Sequence, residues 1–115
     1  MIFVVDDDVV MAECIARACK QDVRIFSNAI EAMQEIANGN VPKMIFLDML
    51  LDGPDGITFL NELISYEDTR KIPVIIVSSF DYNKNDLSHY GVVGYLSKDT
   101  MTPQEIYNYA KKCAN

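Results

Sequence analysis

Basic side chains are scarce in this sequence: ten lysines and arginines face seventeen aspartates and glutamates, leaving a formal charge of -7 and a pI near 4.5. Nucleic acid and anionic membrane surfaces both require a basic patch, so direct binding to either is not expected. A cation or a basic partner surface is the better match. Long hydrophobic runs are missing as well. No stretch approaches the roughly twenty residues of a membrane span. The aspartates at 6 to 8 interrupt the first apolar run, so no signal peptide is expected. The expected location is cytoplasmic, and Met1, placed directly before the first strand, is expected to be a natural amino terminus. The single histidine, His89, lies in a polar segment with no partner to orient it, which excludes a serine hydrolase triad. It is expected to be exposed on a fourth helix. Cys14, Cys19 and Cys113 are odd in number and lack metal-ligand spacing. They fall on apolar helical stripes and read as reduced core residues rather than redox thiols. No repeat, linker or low-complexity segment occurs. The 115 residues therefore make one domain with one sheet-sized core.

What is present is a series of short apolar runs, each ending in a polar residue. Met44 to Leu47 delivers Asp48 to its carboxyl end, and the turn-forming LDGPDG follows. A run without polar alternation suits a strand buried on both faces, as in parallel α/β sheets. Ile2 to Val5 is a second such run and ends in Asp6, Asp7 and Asp8. Val74 to Val77, opened by Pro73, ends in Ser78 and Ser79. Val92 to Ser97 is followed by Lys98. Val23 to Phe26 carries Arg24 and fits a wetter edge strand. Helices are expected between the strands. Asp8 caps a stripe of Met11, Cys14, Ile15, Ala18 and Cys19. Asn28 and Glu31 form a capping box for a helix through Met33 and Ile36 that Gly39 closes. Ile57, Leu60, Leu63 and Ile64 share one side of a third helix. Thr102, Pro103 and Glu105 open the last helix, which turns Ile106, Ala110 and Cys113 inward. The segment from Asp81 to Tyr90 has the poorest helix propensity in the chain. Five strand-helix units of this length predict a doubly wound α/β domain with right-handed crossovers.

Parallel pairing gathers Asp6, Asp7, Asp48, Ser78 and Lys98 at one rim, outside the carboxyl ends of the strands, where open α/β sheets bind ligands. Three carboxylates drawn together repel by about 1 kcal/mol per pair at 4 Å in water, and by more where partly buried. One lysine does not neutralise three carboxylates. A divalent cation with oxygen ligands is implied, and a small open site suits Mg²⁺ retaining waters better than a Ca²⁺ cage. With that charge in place, the missing component is an anion rich in oxygens, and a phosphoryl group fits. A carboxylate is a competent phosphoryl nucleophile. Asp48 then becomes the acceptor, Asp6 and Asp7 hold the metal, and Ser78 and Lys98 bind phosphoryl oxygens.

The stretches IFVVDDD, MIFLDMLLDGPDG, PVIIVSS and GYLSK together resemble the receiver domain of two-component response regulators, of the chemotaxis-regulator kind, along the whole chain. The resemblance implies a flavodoxin-like fold, a five-stranded sheet in the order 2-1-3-4-5 with helices on both faces. It implies a histidine kinase or phosphotransfer protein as phosphodonor, and a downstream protein partner or fused effector domain as output. By position it makes Asp6 and Asp7 the acidic pair and Asp48 the phosphoacceptor. Ser78 becomes the hydroxyl residue, Lys98 the lysine, Tyr95 the switch aromatic and Gly56 the glycine closing the loop. Mg²⁺ would be held by Asp6, Asp7, Asp48 and the backbone carbonyl of Leu50. Three positions depart from the family: Asp52 stands where proline is frequent, Leu50 where a polar side chain often acts on the hydrolytic water, and Asp99 where proline commonly follows the lysine. Without proline a cis Lys98–Asp99 bond would cost roughly 2.5 to 4 kcal/mol, so trans is expected. Output is expected through a coupled shift of Ser78, Tyr95 and residues 81 to 90. The partner face would include the outer side of the last helix and Tyr107. A phosphorylation-independent interaction module is the alternative. A flavin carrier on the same fold is disfavoured, because three aspartates occupy the place of its phosphate loop.

Overall fold

The structure, a computed structural model, describes residues 1–49, 56–79, 87 and 90–114. Its strands are β1 (Ile2–Val5), β2 (Val23–Phe26), β3 (Met44–Asp48), β4 (Val74–Ser78) and β5 (Val92–Ser97). Its helices are α1 (Val9–Cys19), α2 (Ala29–Ala37), α3 (Gly56–Ile64) and α4 (Pro103–Ala114). All strands pair in parallel, in the order β2-β1-β3-β4-β5. That is the flavodoxin-like order expected from the sequence. The expected helix between β4 and β5 lies outside the described residues except for Leu87, which is buried, and Tyr90.

Alternation along the strands divides the core into two layers, because successive side chains point to opposite faces of a sheet. Phe3, Val5, Ile45, Leu47, Val74 and Ile76 pack against α2 and α3. Ile2, Val4, Met44, Phe46, Ile75 and Val77 pack against α1 and α4. With both faces covered, β1, β3 and β4 are buried throughout, which explains their unbroken apolar sequences. The edge strand β5 alternates instead. A register irregularity after Val74 leaves Val93 as the extra residue of a bulge, and its side chain is exposed. Its neighbour Gly94 has to lack a side chain, since a Cβ there would lie 2.6 Å from the ring of Tyr109 on α4.

The helix starts follow their caps. Asp8 Oδ1 accepts from the Met11 N–H at 3.1 Å, and Asn28 Oδ1 from the Glu31 N–H at 2.9 Å. Thr102 and Glu105 bond reciprocally, the Thr102 N–H to Glu105 Oε1 and the Glu105 N–H to Thr102 Oγ1. Two helix faces differ from expectation. The buried stripe of α1 is Ala12, Ile15 and Cys19, while Cys14 is exposed. Adjacent helical positions are about 100° apart, so Cys14 cannot share the narrow face that Ile15 presents. In α3, Phe59 joins Leu60 and Leu63 in the core, and Ile57 is left exposed.

Candidate functional site

Sheet register builds the site. Val5 pairs with Leu47, so the next residues along β1 and β3, Asp6 and Asp48, leave the core side by side. Asp48 lies opposite Val77, which puts Ser78 one step further along β4. Ser78 lies opposite Ser97, and the Lys98 N–H donates to the Ser78 carbonyl at 3.0 Å. That bond extends β4–β5 pairing by one residue and fixes the backbone from which Lys98 reaches across β4. Its Nζ stands 3.2 Å from Asp48 Oδ2 and 3.1 Å from Asp6 Oδ2, and donates to Asp6 Oδ1 at 3.3 Å. Asp6, Asp48 and Ser78 are buried, whereas Asp7 is exposed.

One carboxylate oxygen from each of Asp6, Asp7 and Asp48 lies within 4.8 Å of the other two. Lys98 Nζ is close to Asp6 Oδ2, yet among the described residues that buried oxygen receives no hydrogen bond. Burial, the largest influence, raises the Asp6 pKa above the usual carboxylate range. The Asp8 N–H and Lys98 pull it down without prevailing, and the charge on Asp48 adds to the rise. Burial is also the largest influence on Lys98 and acts to lower its pKa, but Asp6 and Asp48 together outweigh it and hold the ammonium above its ordinary value. An isolated ion pair would favour both charges. Here one shared lysine serves two carboxylates, and Asp6 is left undercompensated. An oxygen-rich, undercompensated set of this kind could hold a hard divalent cation.

One further feature was not legible as a site feature in the sequence. Asp8, expected only as a helix cap, also donates its N–H to Asp6 Oδ1 at 2.9 Å and so fixes the rotamer of that carboxylate. The signal was present in the spacing, since an aspartate bonding its own backbone two residues on is a common turn. Gly56 is the first residue of α3 and donates its N–H to the Met49 carbonyl at 3.3 Å. A Cβ at this position would lie 2.8 Å from Met49 Cα, so the close approach of the backbone at Met49 requires glycine here.

Tyr95, the expected switch aromatic, is half-buried on β5 opposite Ile76 and packs on the core layer shared with α3. Tyr107 carries Lys20 Nζ 5.3 Å above its ring, which ties it to the carboxyl end of α1. No cis peptide bond occurs among the described residues, so Lys98–Asp99 is trans. The N–H that proline would lack is present at Asp99 and donates to Ser97 Oγ at 3.3 Å. Leu50, Asp52 and His89 lie outside the described residues.

The family model described as the response regulator receiver domain matches residues 2–111. A probable transcriptional regulator of Porphyra purpurea, ycf29, is 30% identical over 115 residues, 96% of this chain and 54% of that protein. The chain thus spans about half the length of this curated relative. A putative response regulator from Chloroflexus aurantiacus J-10-fl has a TM-score of 0.82 at 27% identity, over 97% of this chain and 94% of that one. The phosphorylated cyanobacterial phytochrome response regulator RcpA has a TM-score of 0.73, also at 27% identity, over 96% and 88% of the two chains.

Proposed function

The chain belongs to the response regulator receiver domain family, and from that premise we propose that it takes a phosphoryl group from a phosphohistidine onto Asp48 and thereby changes the surface it offers to a partner. The observation that carries this reading is Lys98 Nζ standing 3.2 Å from Asp48 and 3.1 Å from Asp6, in a cluster that Asp7 completes. The relative RcpA, described as phosphorylated, lends support. In the step proposed, an Asp48 carboxylate oxygen attacks phosphorus as the P–N bond of the donor breaks. The electron pair of that bond stays on the imidazole nitrogen, whose ring keeps the proton on its other nitrogen and leaves neutral.

Asp6, Asp7 and Asp48 would hold Mg²⁺, with the Leu50 carbonyl added by the family resemblance. Bound there, the ion would offset carboxylate repulsion and draw phosphoryl oxygens to the rim. Lys98 balances the charge that the phosphoryl group brings, and the Ser78 hydroxyl donates to one of its oxygens. As Ser78 closes on the group, Tyr95 turns toward the space beside β4 and buries its ring there, coupling the site to residues 81 to 90. Partners of two kinds follow: a histidine kinase or phosphotransfer protein as donor, and a downstream protein or linked effector.

Intact-mass measurement with acetyl phosphate and Mg²⁺ tests the assignment. One acid-labile phosphoryl adduct is expected, and Asp48→Asn should remove it. An adduct undiminished in that variant would overturn Asp48 as acceptor, whereas a wild-type chain that takes no adduct would make the domain a phosphorylation-independent module. Amide exchange tests the switch, since Tyr95 and residues 81 to 90 should change protection at full occupancy.

A further inference from the structure

Away from the acidic rim, α2, α3 and the turn after α3 enclose a groove of about 620 Å³. Its walls carry Met33 and Phe59, and two large apolar side chains at its edge are left open to water, Ile30 at 52% and Tyr66 at 54% exposure. Glu62 and Asp68 stand on the same lining, both exposed, and among the described residues no lysine or arginine lines the groove. Arg70 and Lys71 follow in the chain, but neither pairs with Glu62 or Asp68 among the described residues. None of Asp6, Asp7, Asp48, Ser78 or Lys98 takes part in it.

We propose that this groove docks an amphipathic segment of a partner protein, one that inserts an apolar side chain between Met33 and Phe59 and sets arginine or lysine against Glu62, Asp68 and the ring of Tyr66. Charge complementarity selects the occupant. Two carboxylates with no cation among the described lining residues repel acidic partners and attract basic ones. An exposed tyrosine ring adds a face on which a guanidinium stacks favourably. The volume lies within the range of sites that bury a compact ligand or a peptide anchor, and a groove between two helices is a usual seat for an amphipathic helix. Because the acidic rim is not part of this surface, docking here does not require a phosphoryl group on Asp48. The domain would hold a partner at the groove while its phosphorylation state is read elsewhere.

The probe is a fluorescein-labelled peptide with leucines at helical i, i+3, i+4 and i+7 positions and arginines on the flanking positions, beside a twin in which every arginine is glutamate. Fluorescence anisotropy should give about tenfold or greater preference for the arginine peptide, a ratio worth about 1.4 kcal/mol, and added salt should reduce it. Backbone amide shifts should map to Ile30, Met33, Glu62 and Tyr66. The double change Glu62→Lys and Asp68→Lys should weaken binding about tenfold, by the same conversion. Glu13→Lys with Asp22→Lys, equal in charge change and outside the groove, should weaken it far less. Equal binding of the glutamate peptide, equal loss in the two double variants, or shifts mapping to Asp6, Asp7 and Asp48 would each overturn the proposal. So would sedimentation showing two copies of the chain paired through the groove.

Discussion

Two carboxylate–cation pairs in this molecule behave in opposite ways. At the rim, Lys98 meets Asp6 and Asp48 where both carboxylates are buried, and the pKa of Asp6 is raised because burial outweighs its partners. At the edge of the sheet, Arg24 of β2 meets Glu35 of α2 in the open. There the pKa of Glu35 is lowered, first by the hydrogen bond from Arg24 and then by one from Asn40. Similar chemical groups are thus undercompensated in one place and satisfied in the other. Desolvation and sharing make the difference: Glu35 has two donors of its own and water besides, while Asp6 shares one ammonium with Asp48. The edge pair ties a strand to a helix and leaves no charge unanswered. The rim pair leaves negative charge for something else to meet, which is what separates a candidate site from a surface ion pair.

The largest way to break the comparison is to remove the shared cation. Lys98→Met should destabilise the metal-free protein by about 3 kcal/mol, the scale for stripping one partner from a buried ion pair. Urea unfolding in the presence of chelator measures it. Mg²⁺ should restore part of the loss if the cluster is a cation site. A Lys98→Met protein as stable as wild type would mean that Asp6 and Asp48 are not charged together in the folded state.

A second effect is smaller and sharpens the contrast without touching the core. Mg²⁺ at a hundred times its dissociation constant should stabilise the wild type by about 2.7 kcal/mol through mass action. Asp7→Ala should abolish most of that gain while leaving the metal-free melting temperature nearly unchanged, because Asp7 is exposed. Calorimetry with and without the ion checks both halves. A Mg²⁺ response that persists undiminished in Asp7→Ala would remove that residue from the metal set.

How far this contrast was legible in the sequence follows from its physics. Strand identity was plain in β1, β3 and β4, because strands covered on both faces tolerate no polar residue until they emerge. Strand ends then located Asp6, Asp48, Ser78 and Lys98 without any knowledge of the fold's interior. The electrostatic imbalance was only half visible. Counting charges showed three carboxylates against one lysine, but not that Asp7 remains in water while Asp6 is enclosed and held by the Asp8 N–H. Helix faces were less secure. Cys14 and Ile57 were expected inside and stand outside, since a short helix buries a narrower stripe than its apolar residues would allow. Nothing in the periodicity announced the groove between α2 and α3. It depends on how far two helices stand apart, and residues such as Met33 and Ile30 read the same whether a neighbour covers them or not.

The smallest effect is one of sign. In metal-free protein Asp6 has a raised folded-state pKa, so its ionised form costs stability. That cost is fully present above the folded pKa and disappears as pH falls below the unfolded value of about 3.8. Glu35 is the reverse. Its lowered folded pKa supplies stability that is present above the unfolded value of about 4.5 and is lost as pH falls through the folded one. Neutral isosteres should therefore separate in opposite directions at pH 7. Asp6→Asn should melt above wild type and Glu35→Gln below it, the latter by an amount that high salt reduces, because the pair is open to solvent. As pH falls toward 4 the Asp6→Asn advantage should shrink, since the wild type then protonates the same group. Below the folded pKa of Glu35 the Glu35→Gln deficit should vanish for the same reason. Melting curves of the three proteins across that range, recorded with chelator, resolve the two trends. If both variants fall on the same side of wild type at pH 7, burial does not outweigh Lys98 at Asp6, and the rim would be an ordinary satisfied ion pair like the one at the edge.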